Sequence, residues 1–322
     1  MKPYARWLLR LIGPAILAYF LLTTDLSRIA LNLTRVHWAP LLLSIALYPL
    51  LTVVKAWRWA RLMRSLGMAP PPLGVTMRLY MIGLFFGGAT PGQAGDFAKA
   101  WYLRDRGQPL GPALFSILLD RLFDLMIMAL TGLLGLVLLL RFLPAERRGL
   151  VEIAVVAVAL GVALLVPLLM ARRPREWLMR AAARAPGGFA PSLERWRGQL
   201  TALELQAGVT GAVLAATIGA AALSIGRVWL LFSALAITIP ALALISSVAL
   251  ISILQTLPIS FSGVGVRDAV LVAVLGAYGY RADEALALSA LFLLLNLENI
   301  ALGFLVSLRP TVAPEGTARE KA

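Results

Sequence analysis

The chain has 322 residues, 60% of them hydrophobic, and a mean hydropathy of +0.84, more apolar surface than a soluble core of this size can bury. Its formal charge of +14 sits in short blocks beside apolar runs, the pattern of the positive-inside bias, which argues against nucleic acid as a partner. With no cysteine and one histidine, His37, a disulfide framework, a thiolate nucleophile and a Cys/His metal site are excluded.

The composition therefore predicts an all-α polytopic membrane protein, with apolar runs near the roughly 17–25 residues that cross a bilayer as helix. The first, at about 8–24, follows Lys2, Arg6 and Arg10 and lacks a small-x-small cleavage site, so it reads as a retained helix. Further runs follow at about 39–57, 76–90, 111–140, 151–170, 209–232, 241–257, 269–280 and 285–308. The cluster Lys55, Arg58, Arg61 and Arg64 marks one cytoplasmic connection, and seven arginines between Arg172 and Arg197 mark another. Three apolar runs separate these connections, so one of the three must enter and leave on the same side. The segment 76–108, broken by Gly87, Gly88, Pro91, Gly92 and Gly95, is the short, interrupted one. The runs at 241–257 and 269–280, divided by "LPISFSGVGVRDA", read as a second re-entrant hairpin entering from the other side. The expectation is six full spans, two re-entrant hairpins and cytoplasmic termini. Arg141, Arg147 and Arg148 fall outside in this topology but are outnumbered.

Spacing also predicts a duplication. Arg58 matches Arg227, Pro70 matches Pro240, Pro91 matches Pro258, Asp96 matches Asp268 and Ser116 matches Ser289, at offsets of 169, 170, 167, 172 and 173. Residues 1–308 thus form one membrane domain of two inverted repeats, about 1–145 and 146–308. A basic amphipathic segment spans 171–208, and a polar, disordered tail spans 309–322.

Non-helical backbone at membrane depth is costly unless it lines a polar cavity, and each break starts a half-helix whose N–H groups and positive dipole end favour an anion. The candidate site for a lipid headgroup phosphate therefore comprises Pro91, Gly92, Gly95, Asp96 and Lys99 at the first break, and Pro258, Ser262, Gly263, Gly265, Arg267 and Asp268 at the second. Asp120 and Asp124 lie on one helix face with Arg121 about a quarter turn away, and Asn296, Glu298 and Asn299 interrupt the last run. Two readings stay open for these residues: cavity lining, or ion pairs and hydrogen bonds that anchor helices. Arg267→Gln should weaken lipid retention, and Arg58→Gln, at the cytoplasmic interface, should do much less.

"PGQAGDFAK" (91–99), "LLDRLFDL" (118–125) and "LPISFSGVGVRDA" (257–269) together resemble the membrane domain of lysylphosphatidylglycerol synthases, over about Trp57 to Leu308. Within that pattern Gly95, Asp96 and Lys99 match, Ala94 stands where a second glycine is common, and Arg267–Asp268 replaces the usual Arg-Glu. The resemblance implies lipid translocation between leaflets. The sequence ends in the polar "RPTVAPEGTAREKA" where the synthases carry an aminoacyl-transferase domain, so synthesis of lysylphosphatidylglycerol is not expected.

The functional expectation is a flippase for an anionic phospholipid or a polyprenyl-phosphate-linked lipid in a bacterial or archaeal inner membrane, with no cofactor and no enzymatic activity of its own. No Walker A loop is present, so ATP is not the direct drive. Anionic headgroups would also meet the basic segment, and a homodimer is kept open. The rival readings are an enzyme acting on lipid headgroups, for which no nucleophile–base pairing or metal spacing is found, and a lipid-binding scaffold.

Overall fold

The computed structural model describes Leu22 and residues 26–88, 90–140, 148–170, 207–256 and 265–308. All but Leu22 of the first apolar run, the basic segment from 171 to 206, the centre of the second break (257–264) and the tail from 309 lie outside the described residues. Every described element is helical. In chain order they are α1 (Leu26–Thr34), α2 (Trp38–Ala46), α3 (Tyr48–Ser65), α4 (Leu73–Gly88), a 3-10 segment (Pro91–Ala98), α5 (Lys99–Arg104), α6 (Leu110–Leu140), α7 (Arg148–Met170), α8 (Ala207–Ala234), α9 (Ala241–Thr256), α10 (Val266–Ala277) and α11 (Ala282–Ser307).

Among the described residues, three stretches are both long and apolar enough to cross a membrane: Trp38–Ser65, Gly208–Ala234 and Ala282–Ser307. The first joins α2 to α3 across Leu47, where Pro49 removes a backbone donor and breaks the ladder without ending the helical path. It also corrects the expected boundary. The run read as ending near residue 57 continues as helix to Ser65, so Lys55, Arg58 and Arg61 lie within it. Short α1 packs on α11, where Asn32 Nδ2 donates to Asp283 Oδ2 at 3.2 Å.

By contrast α4, α9 and α10 have 16, 16 and 12 residues. At 1.5 Å per residue that is roughly 24, 24 and 18 Å, short of about 30 Å of hydrocarbon. In each segment expected to form a hairpin, the described ends meet. Met68 and Val75 at the start of the first hairpin share one core with Leu103 at its end, beside Met63 of α3. In the second, the Thr238 N–H donates to the Tyr280 hydroxyl at 2.7 Å, and that hydroxyl donates to the Thr238 carbonyl at 3.0 Å. The first hairpin therefore opens beside the end of α3. The second opens beside the start of α2, since the His37 N–H donates to the Ala234 carbonyl at 2.8 Å. The 28 residues from Trp38 to Ser65 place those levels roughly 42 Å apart.

The helix ends repeat with the sequence. Four helices close on a six-residue backbone loop: Met68 N–H to Met63 O at 3.0 Å, Gln108 to Leu103 at 3.1 Å, Ile237 to Phe232 at 2.9 Å and Tyr280 to Leu275 at 3.1 Å. Each loop turns through a left-handed residue, Gly67, Gly107, Ala236 or Gly279. Gly67 and Ala236 stand 169 apart, Gly107 and Gly279 stand 172 apart, and these are the offsets of Arg58/Arg227 and Asp96/Asp268. Helices α3 and α8 run antiparallel: Ser44 of α2 bonds Arg227, whereas Arg58 of α3 bonds Thr217. The helices that carry the matched Arg58 and Arg227 thus run in opposite directions. Ala236 carries the strain of a Cβ at φ 53°. Ala236→Gly is therefore expected to stabilise the protein by about 0.5–1 kcal/mol, measured by thermal unfolding in detergent.

The halves are also laced together. Helix α4 packs on α11, α9 packs on α6, and α3 packs on α8. At Gly303 of α11 a Cβ would stand 2.5 Å from the Met81 carbonyl oxygen, so only glycine permits this approach of α11 to α4.

Candidate functional site

The middle of the α2–α3 span faces a cavity of about 630 Å³. On α3 it is lined by Tyr48, Thr52 and Lys55, residues i, i+4 and i+7 on one helix face. The 3-10 segment contributes Asp96, α6 contributes Asp120, Arg121 and Asp124, α8 contributes Ser224 and Arg227, α9 Ser252, and α11 Asn296 and Asn299. Leu84, Leu125, Ile127, Met128, Val248 and Phe292 supply apolar wall between them.

Arg58 stands behind the first part of this wall, with no solvent exposure. Its Nε donates to Asp120 Oδ1 at 2.8 Å, and its NH1 donates to Asp124 Oδ1 at 2.7 Å and to Thr217 Oγ1 at 3.2 Å. The Tyr80 hydroxyl donates to Asp120 Oδ2 at 3.0 Å, and Lys55 Nζ donates to Asp124 Oδ2 at 3.0 Å. Helical spacing turns both carboxylates towards one guanidinium, and in a low-dielectric interior such pairing is what makes buried charges tolerable. The reading of Arg58 as an interfacial residue is thereby corrected: it is the hub of a buried network.

Asp96 forms a second cluster. Its Oδ2 ion-pairs with Lys99 Nζ and accepts from Arg121 Nε, each at 3.0 Å. Lys99 is fully buried, its ammonium 4.7 Å from the centre of the Trp59 ring and 4.3 Å from that of Tyr80, within cation–π range. Arg121 is different, with 24% of its side chain exposed. Gly83 makes the cluster fit, because a Cβ there would overlap Asp96 Oδ1 and stand 3.0 Å from Lys99 Cδ.

The other half repeats the pairing with fewer charges. Arg227 of α8, the match of Arg58, ion-pairs through NH2 with Glu298 of α11, and its Nε donates to the Ser44 carbonyl at 2.8 Å. Taken together, the described cavity wall and the groups directly behind it hold five cations, Lys55, Arg58, Lys99, Arg121 and Arg227, against four carboxylates, Asp96, Asp120, Asp124 and Glu298. One positive charge is in excess.

At the breaks the structure departs from the expected anion site. The Gly95 N–H donates to Thr90 Oγ1 at 2.6 Å, and the Gly265 N–H donates to Asp268 Oδ2 at 2.7 Å. Side chains of the chain itself already satisfy these donors, so neither is free for a phosphate. Gly95 is there for a steric reason as well, since its Cβ position falls on the Phe86 carbonyl. Pro91 and Gly92 open the 3-10 segment. Pro258, Ser262 and Gly263 lie outside the described residues. Arg267 and Asp268 are buried; Arg267 Nε donates to Ser289 Oγ at 2.7 Å, and that hydroxyl donates to Asp268 Oδ1. Among the described residues, the cavity lining includes neither of them, nor Lys99, Gly95, Gly265 or Glu298. Arg267→Gln is accordingly expected to lower thermal stability through the Ser289 bridge while leaving lipid retention per folded molecule unchanged, which reverses the sequence-based expectation.

Of the residues singled out from sequence, Asp96, Asp120, Arg121, Asp124 and Asn296 meet at one cavity. Sequence reasoning missed Tyr48, Lys55, Tyr80 and Gly83. It had paired Arg58 with Arg227 by spacing, and that match in an apolar context was the available signal of a buried role.

Comparison with known proteins gives one match, to the family model described as the lysylphosphatidylglycerol synthase TM region, over residues 9–303. No curated protein and no solved structure matches the chain. With nearly all of the membrane domain inside that match, this chain, helical in every described element, belongs to the lysylphosphatidylglycerol synthase transmembrane-region family and is a multi-pass membrane protein.

Proposed function

We propose that this protein is a flippase that carries a phosphate-bearing lipid, an anionic phospholipid or a polyprenyl-phosphate-linked lipid, between leaflets without chemical change and without direct use of ATP. The observation that carries the reading is the mid-span cavity into which Arg121 is partly exposed, set among apolar helices of a lipid-associated family. Arg121 is the group that meets the phosphate. Its partner Asp96 is also held by Lys99, so Arg121 can turn to a lipid without leaving a buried carboxylate unpaired.

In this reading the two hairpins are re-entrant, entering from opposite faces, and six helices span a bacterial or archaeal inner membrane with both termini in the cytoplasm. The meeting of Thr238 with Tyr280, far from the end of α3, supports opposite entry. Anionic headgroups bind the basic segment 171–208. In this cysteine-free chain a cysteine at Thr238 should react with an impermeant thiol reagent only from outside, and one at Arg184 only from inside. The reverse at either site removes the topology.

The substrate reading is tested by mass spectrometry of lipid retained through gentle purification. A phosphate lipid enriched over its share of the membrane is expected, and depleted from Arg121→Gln. Retention of neutral lipids alone contradicts the proposal.

A further inference from the structure

The two poles of the cavity differ in chemistry. At one, Lys55, Asp96, Arg121 and Asp124 present charge. At the other, Tyr48 lies under the Arg227 guanidinium, 5.3 Å from its ring centre, Ser224 is one turn from Arg227, and this one charge is neutralised by Glu298, the neighbour of Asn299 on α11. The duplication sharpens the contrast. Offsets of 173 and 174 relate Ser116 to Ser289 and Asp124 to Glu298, and they place Arg121 on Leu294 or Leu295. The second half thus has no counterpart of the exposed arginine and carries Asn296 and Asn299 one helical turn apart instead.

Two atoms at this neutral pole point to a ligand. Tyr48 is 1% exposed and lines the cavity, and beyond a contact with Thr52 one turn on, its hydroxyl has no hydrogen-bond partner. Asn299 Oδ1 is buried and likewise unpartnered, in a residue that lines the same wall. A donor–acceptor hydroxyl and an amide oxygen left unmade are costly in a dry interior, and a hydroxyl-bearing ligand satisfies both. Buried carboxylates with no spare cation would suit an ammonium group; this pole holds only the Arg227–Glu298 pair and selects against one.

We infer that the cavity reads two features of one headgroup, a phosphate at the Arg121 pole and a neutral, hexose-sized polyol at the Tyr48–Asn299 pole. This rests on the proposed phosphate-lipid function and narrows its substrate class. The seven residues from Tyr48 to Lys55 separate the poles by roughly 10 Å along α3, further than a bare phosphate reaches and within the span of a phosphate bearing one sugar-like ring.

The test is binding of dioleoyl lipids to the purified full chain in lipid-free detergent, by displacement of retained lipid. Phosphatidylinositol is the two-feature probe, phosphatidic acid carries phosphate alone, and phosphatidylcholine carries phosphate with an ammonium. Phosphatidylinositol is expected to bind about tenfold more tightly than phosphatidic acid, from two neutral hydrogen bonds, with phosphatidylcholine weakest. Tyr48→Phe and Asn299→Leu should each erode that preference and leave phosphatidic acid binding unchanged. Equal binding of phosphatidylinositol and phosphatidic acid overturns the polyol pole while sparing the phosphate reading, as does an equal loss for both lipids in Tyr48→Phe. Failure of all three lipids to bind overturns the phosphate reading itself, and this inference with it.

Discussion

Replacement of Arg58 by glutamine is expected to destabilise the folded protein by about 3–5 kcal/mol, the typical loss when one partner of a buried ion pair is removed. The magnitude follows from the partners left behind. Asp120, with its side chain 2% exposed, would keep only the Tyr80 hydroxyl, and Asp124 would keep Lys55. An uncompensated carboxylate in low dielectric costs more than the lost hydrogen bonds alone. Thermal unfolding in detergent reads the effect, and the double variant Arg58→Gln/Asp120→Asn should recover part of it, because both charges then leave together. A loss below about 1 kcal/mol, typical of a surface pair, would place Arg58 back at the interface.

Arg121→Gln should behave in the opposite way. The side chain is partly exposed to the cavity, and Asp96 retains Lys99 when Arg121 is gone, so the fold should survive with little change. What is lost is a cation facing phosphate, worth about 1.5–3 kcal/mol as a charge-assisted hydrogen bond. Retention of a phosphate lipid should therefore fall roughly ten- to hundredfold at equal thermal stability. Arg121→Lys should keep much of it, since the charge remains at the site though the planar fork does not. Loss of stability with undiminished lipid binding would make Arg121 a helix anchor.

The contrast between these two arginines explains what the sequence could and could not reveal. Hydropathy alone reports the apolar helices, and the Gly/Pro breaks report that α4 and α9 end early, because glycine and proline leave few backbone alternatives. Spacing suggested a duplication, and the left-handed helix ends at Gly67 and Ala236, and at Gly107 and Gly279, fall at the same offsets. The ion pairs were half legible. The four-residue spacing of Asp120 and Asp124 predicts a shared face, but their partner Arg58 lies 62 residues from Asp120, on another helix, and looked like one of a basic cluster. Positive-inside counting treats every arginine beside an apolar run as solvated, and it has no term for one that folds inward. At the second break the chain supplies a charge of its own. A half-helix end predicts an anion, and the anion at Gly265 is Asp268 of the same chain.

The central claim is movement of an unmodified phosphate lipid through the Arg121 cavity, and reconstitution tests it most directly. The full chain is placed in liposomes containing a headgroup-labelled phospholipid, an impermeant quencher is added outside, and the lipid is then weighed by mass spectrometry. Quenching of label from both leaflets with the lipid mass unchanged is expected, and quenching confined to the outer leaflet with Arg121→Gln at equal incorporation. Wild-type liposomes whose inner leaflet stays protected, or whose labelled lipid changes mass, would contradict the claim.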